Sequence, residues 1–118
     1  MTIFKQSSEQ LTFFLSEIEF NIAECKKLIS KLKSEKKQAP FHNDIRRNQQ
    51  VKSLIEKKKA KNDLVLGVDE CFCLVSILIE NALLLDNQKD HSRNENHIEL
   101  LEKKIEDMIA AIGEINKA

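Results

Sequence analysis

The chain has almost none of the residues that turn a polypeptide sharply. It contains two glycines and one proline in 118 residues, whereas a protein built of many strands needs turn-forming residues roughly every 8 to 12 positions. Long helices need far fewer such residues, because they connect through a handful of loops. We therefore expect an all-α fold before any pattern is considered.

The first apolar pattern predicts a long helix near the start of the chain. Apolar residues follow one another in steps of three and four from Leu11 to Leu32, which places them on one face of a helix. Ser7 and Gln10 precede them with the spacing of a capping box. The residue before a proline avoids the helical conformation, so we expect this helix to end at Ala39 and Pro40.

The next segment is predicted to be a weakly anchored helix over about 43–61, with Asn43 as a plausible N-cap. It carries only four large aliphatic residues, which are Ile45, Val51, Leu54 and Ile55. The basic stretch at its end is compatible with either a turn or a charged helix. If it is helical, this segment and the following one form one helix over 44–86. If it is a turn, Asn62 or Asp63 is a plausible N-cap for a separate helix.

A seam of apolar residues runs through the middle of the chain in alternating steps of four and three, as in a coiled coil. Its members are Leu64, Val68, Cys71, Val75, Leu78, Ala82 and Leu85. The segment is apolar enough to resemble a membrane span, but a span needs about 20 apolar residues with few charges. Asp69, Glu70 and Glu80 interrupt this one. It is predicted to be the central helix of a bundle.

This middle helix carries more apolar surface than one buried face requires, because only a narrow line of polar residues remains (Asp69, Cys73, Ser76 and Glu80). The bundle is not expected to cover all of that surface. Leu74, Ile77 and Leu84 are therefore the residues that we expect to contact a protein partner or a second copy of the chain.

The last apolar pattern predicts a helix from the capping-box pair Ser92 and Glu95 to the end of the chain. With it, the predicted architecture is a small antiparallel up-down bundle of four helices, or of three if 44–86 forms one helix. A chain of this length has enough residues for one hydrophobic core, so residues 1–118 are predicted to form one domain.

Neither metal nor cofactor chemistry is predicted. Cys71 and Cys73 are two positions apart on a helix, so they point about 200° away from each other and cannot share a metal ion. The chain contains no glycine-rich phosphate loop and none of the common hydrolase or metalloprotease motifs. The three cysteines lie in apolar runs, which suggests reduced, buried thiols. With no signal peptide recognisable, we expect a cytoplasmic protein without enzymatic activity.

The charges are unevenly distributed although their sum is zero. Residues 1–63 hold 14 Lys and Arg against 8 Asp and Glu, a balance of +6, and residues 64–118 hold 5 against 11, a balance of −6. The basic region 26–61 is a possible site for phosphates or an acidic partner. Its candidate contact residues are Lys26, Lys27, Arg46, Arg47, Lys57, Lys58 and Lys59.

Two functional hypotheses follow. The favoured one is a non-catalytic protein–protein interaction module of the adaptor, chaperone, immunity or inhibitor type, which acts through exposed apolar helix faces. The alternative is a helical bundle that binds nucleic acid through the basic region 26–61. The scarcity of aromatic residues for base stacking and the neutral overall charge weaken that alternative.

Overall fold

The structure, a computed structural model, describes residues 2–5, 7–63, 65–87 and 91–117. Four α-helices account for most of these residues, so the predicted all-α helical bundle is confirmed. The helices are α1 (Ser8–Lys31), α2 (Glu35–Ala60), α3 (Val68–Asp86) and α4 (His91–Lys117). Two short strands, β1 (Thr2–Lys5) and β2 (Val65–Gly67), accompany them.

The chain divides into two compact units. Residues 7–63 form a hairpin in which α1 packs on α2, and residues 1–6 with 64–118 form a unit in which α3 packs on α4 beside the two strands. Within the first unit, Glu19 contacts Lys52 and Asn21 contacts Asn48. Residues further along α1 therefore contact residues earlier in α2, so the two helices run antiparallel.

The start of α1 confirms the predicted capping box. The Gln10 backbone N–H donates to Ser7 Oγ at 3.1 Å, and the Ser7 backbone N–H donates to Gln10 Oε1 at 3.1 Å. These two bonds satisfy backbone donors that have no partner within the first turn of a helix.

The predicted end of α1 at Ala39 and Pro40 is wrong. The helix ends at Lys31, and α2 begins at Glu35, so Pro40 and Asn43 lie inside α2. The Gln38 side chain stabilises this break, because its Nε2 donates to the carbonyls of Leu32 at 2.7 Å and Ile29 at 3.3 Å. It thereby bonds the Leu32 carbonyl just beyond α1 and adds a second donor to the Ile29 carbonyl, which also accepts the Leu32 backbone N–H at 3.1 Å.

A second break separates α2 from α3, so the alternative of one helix over 44–86 is wrong. Asn62 has a φ of 55°, a left-handed conformation that asparagine tolerates better than most residues and that stops a helix. Helix α3 then begins only at Val68. Its N-cap is Gly67, whose backbone N–H donates to Glu70 Oε2 at 3.3 Å, rather than Asn62 or Asp63. Leu64, the first residue of the predicted seam, lies outside the described residues.

The two strands form an antiparallel ribbon that the sequence analysis did not predict. Lys5 pairs with Val65, Phe4 with Leu66 and Thr2 with Gly67, with an irregularity between Thr2 and Phe4. Leu66 is fully buried. The ribbon joins the first residues of the chain to the unit that contains α3 and α4, so the α1–α2 hairpin is an insertion between two paired strands.

Each unit has its own set of buried apolar side chains. In the α1–α2 hairpin they are Leu11, Phe14, Ile18, Cys25, Val51 and Ile55. In the other unit they are Leu66, Cys71, Leu74, Val75, Ile77, Leu78, Leu85, Ile98, Leu101, Met108 and Ile112. The last helix begins at His91, one residue before the predicted capping residue Ser92. Over the described part of the chain, the helices contain no stretch long and apolar enough to cross a membrane.

Candidate interaction surface on the third helix

The structure does not place the predicted partner-binding residues where a partner could reach them. Leu74 and Ile77 have exposed fractions of 1% and 0%, and Leu84 is half-buried. The prediction that Leu74 and Ile77 are available for an intermolecular contact is therefore wrong. They belong to the buried side chains of the α3–α4 unit.

Surplus apolar surface on α3 does exist, on the opposite face. Phe72, Ile79 and Leu83 have exposed fractions of 52%, 41% and 58%, and the exposed Ser76 lies between them. We call these four residues the outer stripe. At about 100° per residue, all four lie within a sector of about 60°, on the side of the helix that points away from the buried residues.

The outer stripe has an acidic border. Asp69 and Asp86 are exposed one turn before and one turn after it, and the half-buried Glu80 lies beside it. Helix α3 contains four carboxylates and no lysine or arginine. The unit formed by residues 1–6 and 64–118 holds 11 Asp and Glu against 6 Lys and Arg, a balance of −5.

The sequence showed that α3 has more apolar surface than its neighbours can cover, but it pointed to the wrong side of the helix. Asn81 lies on the same side as Leu74 and Ile77, and a polar residue usually marks an exposed face. In the structure Asn81 is fully buried, and this side of the helix is covered. Phe72 and Leu83 lie on the opposite side of the helix, and the polar residue on that side is Ser76.

The candidate basic residues lie at three positions along the α1–α2 hairpin. Asn21 and Asn48 are level with each other, so Lys26 and Lys27 lie on the loop side of that level, and Arg46 and Arg47 directly precede Asn48 on α2. The group Lys57–Lys59 lies at the far end of α2, beside the start of α1. That end is about 15 Å from Arg47 along the helix axis, at 1.5 Å per residue.

Several of these basic side chains already have partners within the hairpin. Lys58 Nζ lies 3.4 Å from Asp63 Oδ2 and Lys27 Nζ lies 3.2 Å from Glu24 Oε1. Three consecutive residues on a helix point about 100° apart, so Lys57 to Lys59 cannot form one face. The hairpin therefore does not gather the predicted basic residues into one phosphate-binding surface.

A buried polar cluster crosses the hairpin between α1 and α2. Asn48 Nδ2 donates to Asn21 Oδ1 at 2.6 Å, and Asn48 Oδ1 accepts from Arg47 Nε and Nη2 at 3.3 and 3.2 Å. Cys25 Sγ also lies 3.6 Å from Asn21 Oδ1. Asn21 and Asn48 are 1% and 0% exposed. The two asparagines lie away from solvent, and no buried side-chain N or O atom of the described residues lacks a hydrogen-bond partner. The geometry is therefore that of a packing feature and not of a ligand site.

The thiols do not form a reactive group. Cys71 is fully buried, and burial raises the pKa of its thiol to about 11, with a further contribution from the charge of Glu70. The ammonium group of Lys104 acts in the opposite direction, and burial lowers the pKa of Lys104 itself. Cys73 is half-buried on the other side of α3. Among the residues that the structure describes, no three His, Cys, Asp or Glu side chains are grouped so that they could hold a metal ion.

Comparisons of the chain with models of known protein families, with curated proteins and with solved structures found no match. The surface of the molecule is therefore the remaining source of evidence about function.

Proposed function

We propose that this protein is a non-catalytic interaction module that binds another protein through the outer stripe of α3. An adaptor, a chaperone, an immunity protein or an inhibitor would all use such a surface. The observation that carries the proposal is the alignment of Phe72, Ile79 and Leu83, three large apolar side chains exposed in one line on a helix whose other face is buried.

Alignment distinguishes this surface from the other exposed apolar residues. Leu54, Leu100 and Ile109 are exposed by 39%, 54% and 52%, but Leu54 is the only such residue on α2. Leu100 and Ile109 are nine positions apart and point to opposite sides of α4. Single exposed apolar residues are normal on soluble proteins, whereas a contiguous line of them marks an interaction surface.

The size of the stripe indicates what kind of contact it can make. Burying a whole Phe, Ile or Leu side chain contributes about 1.5–3 kcal/mol, and roughly half of each side chain remains to be buried here. Docking would therefore recover about 3 kcal/mol from the three residues. Association costs at least about 4 kcal/mol in lost freedom, so the partner must also make contacts around the stripe.

The basic residues of the α1–α2 hairpin do not form a continuous surface comparable to the outer stripe, because they lie at separate levels and on different faces. We therefore propose no nucleic-acid-binding function.

Site-specific photocrosslinking in the source cells tests the proposal. A benzoylphenylalanine placed at Ser76 stands in the middle of the stripe, and one placed at the exposed Glu99 of α4 serves as the matched control. We expect a discrete protein adduct from position 76 and none from position 99. The adduct should disappear when Phe72→Ser and Leu83→Ser are combined, while the helical circular-dichroism signal stays unchanged. Equal adducts from both positions, or adducts that survive the double substitution, would contradict the proposal.

A further inference from the structure

We infer that the partner of the outer stripe is an amphipathic helix whose apolar seam is flanked by lysine or arginine. This inference rests on the proposed function, because it names the class of partner that the same surface would take.

The spacing of the stripe indicates a helical partner. Phe72, Ile79 and Leu83 are separated by two turns and by one turn, so they form a narrow ridge about 16 Å long. A ridge of this shape packs into the groove between the side chains of another helix, as in ridges-into-grooves and coiled-coil contacts. The matching seam on the partner spans about three turns, with apolar residues at intervals of three and four.

The charge around the stripe indicates a basic partner. Asp69 and Asp86 are exposed at its two ends, Glu80 lies beside it, and α3 offers no positive side chain to an acidic partner. Lysine and arginine on the borders of the partner seam would meet these carboxylates with their charged ends. Their aliphatic stems would meanwhile cover the edges of the apolar ridge. Opposite charges at the border of an interface mainly determine which partner binds and how fast it associates.

The same charges oppose a symmetric contact between two copies. An antiparallel pairing of two α3 helices, centred on the stripe, would place Asp69 of each copy opposite Asp86 of the other. A parallel pairing would place each carboxylate opposite itself. Both arrangements bring like charges together, which disfavours a second copy as the occupant and favours a partner of opposite charge.

Binding of designed peptides to the full-length chain tests the inference. The probe is a fluorescein-labelled helical peptide of about 18 residues, with leucine along its seam and lysine on both borders. A second peptide carries glutamate at the border positions. We expect the lysine peptide to bind at least tenfold more tightly than the glutamate peptide by fluorescence anisotropy.

Two pairs of variants identify the surface. Phe72→Ser with Leu83→Ser should weaken binding of the lysine peptide at least tenfold, whereas Leu54→Ser, at an isolated exposed leucine, should leave it unchanged. Asp69→Asn with Asp86→Asn should weaken binding severalfold and flatten its dependence on salt. The control, Glu99→Gln with Glu106→Gln, removes the same amount of charge from exposed positions of α4 and should have a clearly smaller effect.

Three other results would overturn the inference, and each has a different meaning. Equal binding of the two peptides with loss in the stripe variant would keep the interaction surface but refute the basic partner. If the Asp69/Asp86 and Glu99/Glu106 variants lose the same amount of peptide affinity, and the Phe72/Leu83 variant loses none, the peptide is held by nonspecific charge attraction. If the wild-type chain sediments as a dimer and the Phe72/Leu83 variant sediments as a monomer, the outer stripe binds a second copy of the chain. If neither peptide binds and the Ser76 crosslink is also missing, the proposed function itself fails.

Discussion

Replacing Asn48 by leucine should destabilise the α1–α2 hairpin, although the two side chains have nearly the same shape. Leucine has the same branching as asparagine, so the change tests the hydrogen bonds of the side chain with little change in packing. The substitution removes the amide donor that lies 2.6 Å from Asn21 Oδ1 and the acceptor that serves Arg47. Both Asn21 and Asn48 lie in the interior, where water cannot replace the lost partner.

The magnitude follows from the two bonds. A buried polar group that loses its partner costs about 1–3 kcal/mol. The half-buried Arg47 can turn toward water, so the penalty falls mainly on Asn21 Oδ1, which keeps its weaker contact with Cys25 Sγ. Burial of the leucine methyl groups offsets part of this penalty, at about 0.8 kcal/mol per buried carbon. We therefore expect the free energy of unfolding to fall by about 1 kcal/mol.

A double-mutant cycle separates this explanation from simple misfit. The Asn21→Leu, Asn48→Leu and doubly substituted chains would be unfolded in urea and followed by circular dichroism at 222 nm. Replacing both members of a buried polar pair with apolar groups of similar shape can be nearly neutral. We therefore expect the double variant to be more stable than the sum of the single effects predicts, by at least about 1 kcal/mol. Additive losses would refute the reasoning, as would a single variant as stable as the wild type.

Three further predictions concern other parts of the molecule. Gln38→Ala should lower stability by about 1 kcal/mol in urea denaturation, because it removes the donor to the carbonyls at the end of α1; the exposed Gln50→Ala is the control and should have no effect. As the pH rises from about 9 to about 11, the free energy of unfolding of the wild type should fall by about 2–3 kcal/mol relative to that of Cys71→Ala. The cause is that the native Cys71 thiol keeps its proton to about pH 11, while the unfolded thiol loses it near pH 9. Parallel pH profiles for the two proteins would contradict the buried thiol. Asn62→Val should cost about 1 kcal/mol in the same urea assay, whereas Asn62→Gly should cost little, since only valine is strained at a φ of 55°.

The sequence predicted those parts of the fold that depend on neighbouring residues. The capping box at Ser7, the helical spacing of the apolar residues and the scarcity of turn formers each act over a few positions, and the structure agrees with them. The end of α1 is stabilised by Gln38, which reaches back to Leu32 once the chain has turned, and no pattern within the helix shows that contact. The strand at Thr2–Lys5 likewise exists because a partner strand lies about 60 residues further along.

The candidate site was predicted only in part, for a related reason. The excess of apolar residues on α3 is a property of the sequence alone. Which side of the helix remains uncovered depends on how α4 and the β-ribbon pack against it. The buried Asn81 shows the difficulty, because a polar residue in the interior cannot be distinguished by residue type from one that faces water.

The pairing of β1 with β2 has a consequence for how this protein is made and handled. During synthesis the strand at Thr2–Lys5 leaves the ribosome about 60 residues before its partner strand Val65–Gly67, so the two strands cannot pair until both have emerged. Deleting Thr2–Lys5 would therefore disturb the unit that contains α3 and α4. The adjacent hairpin would be spared, although it is the nearer neighbour in the sequence.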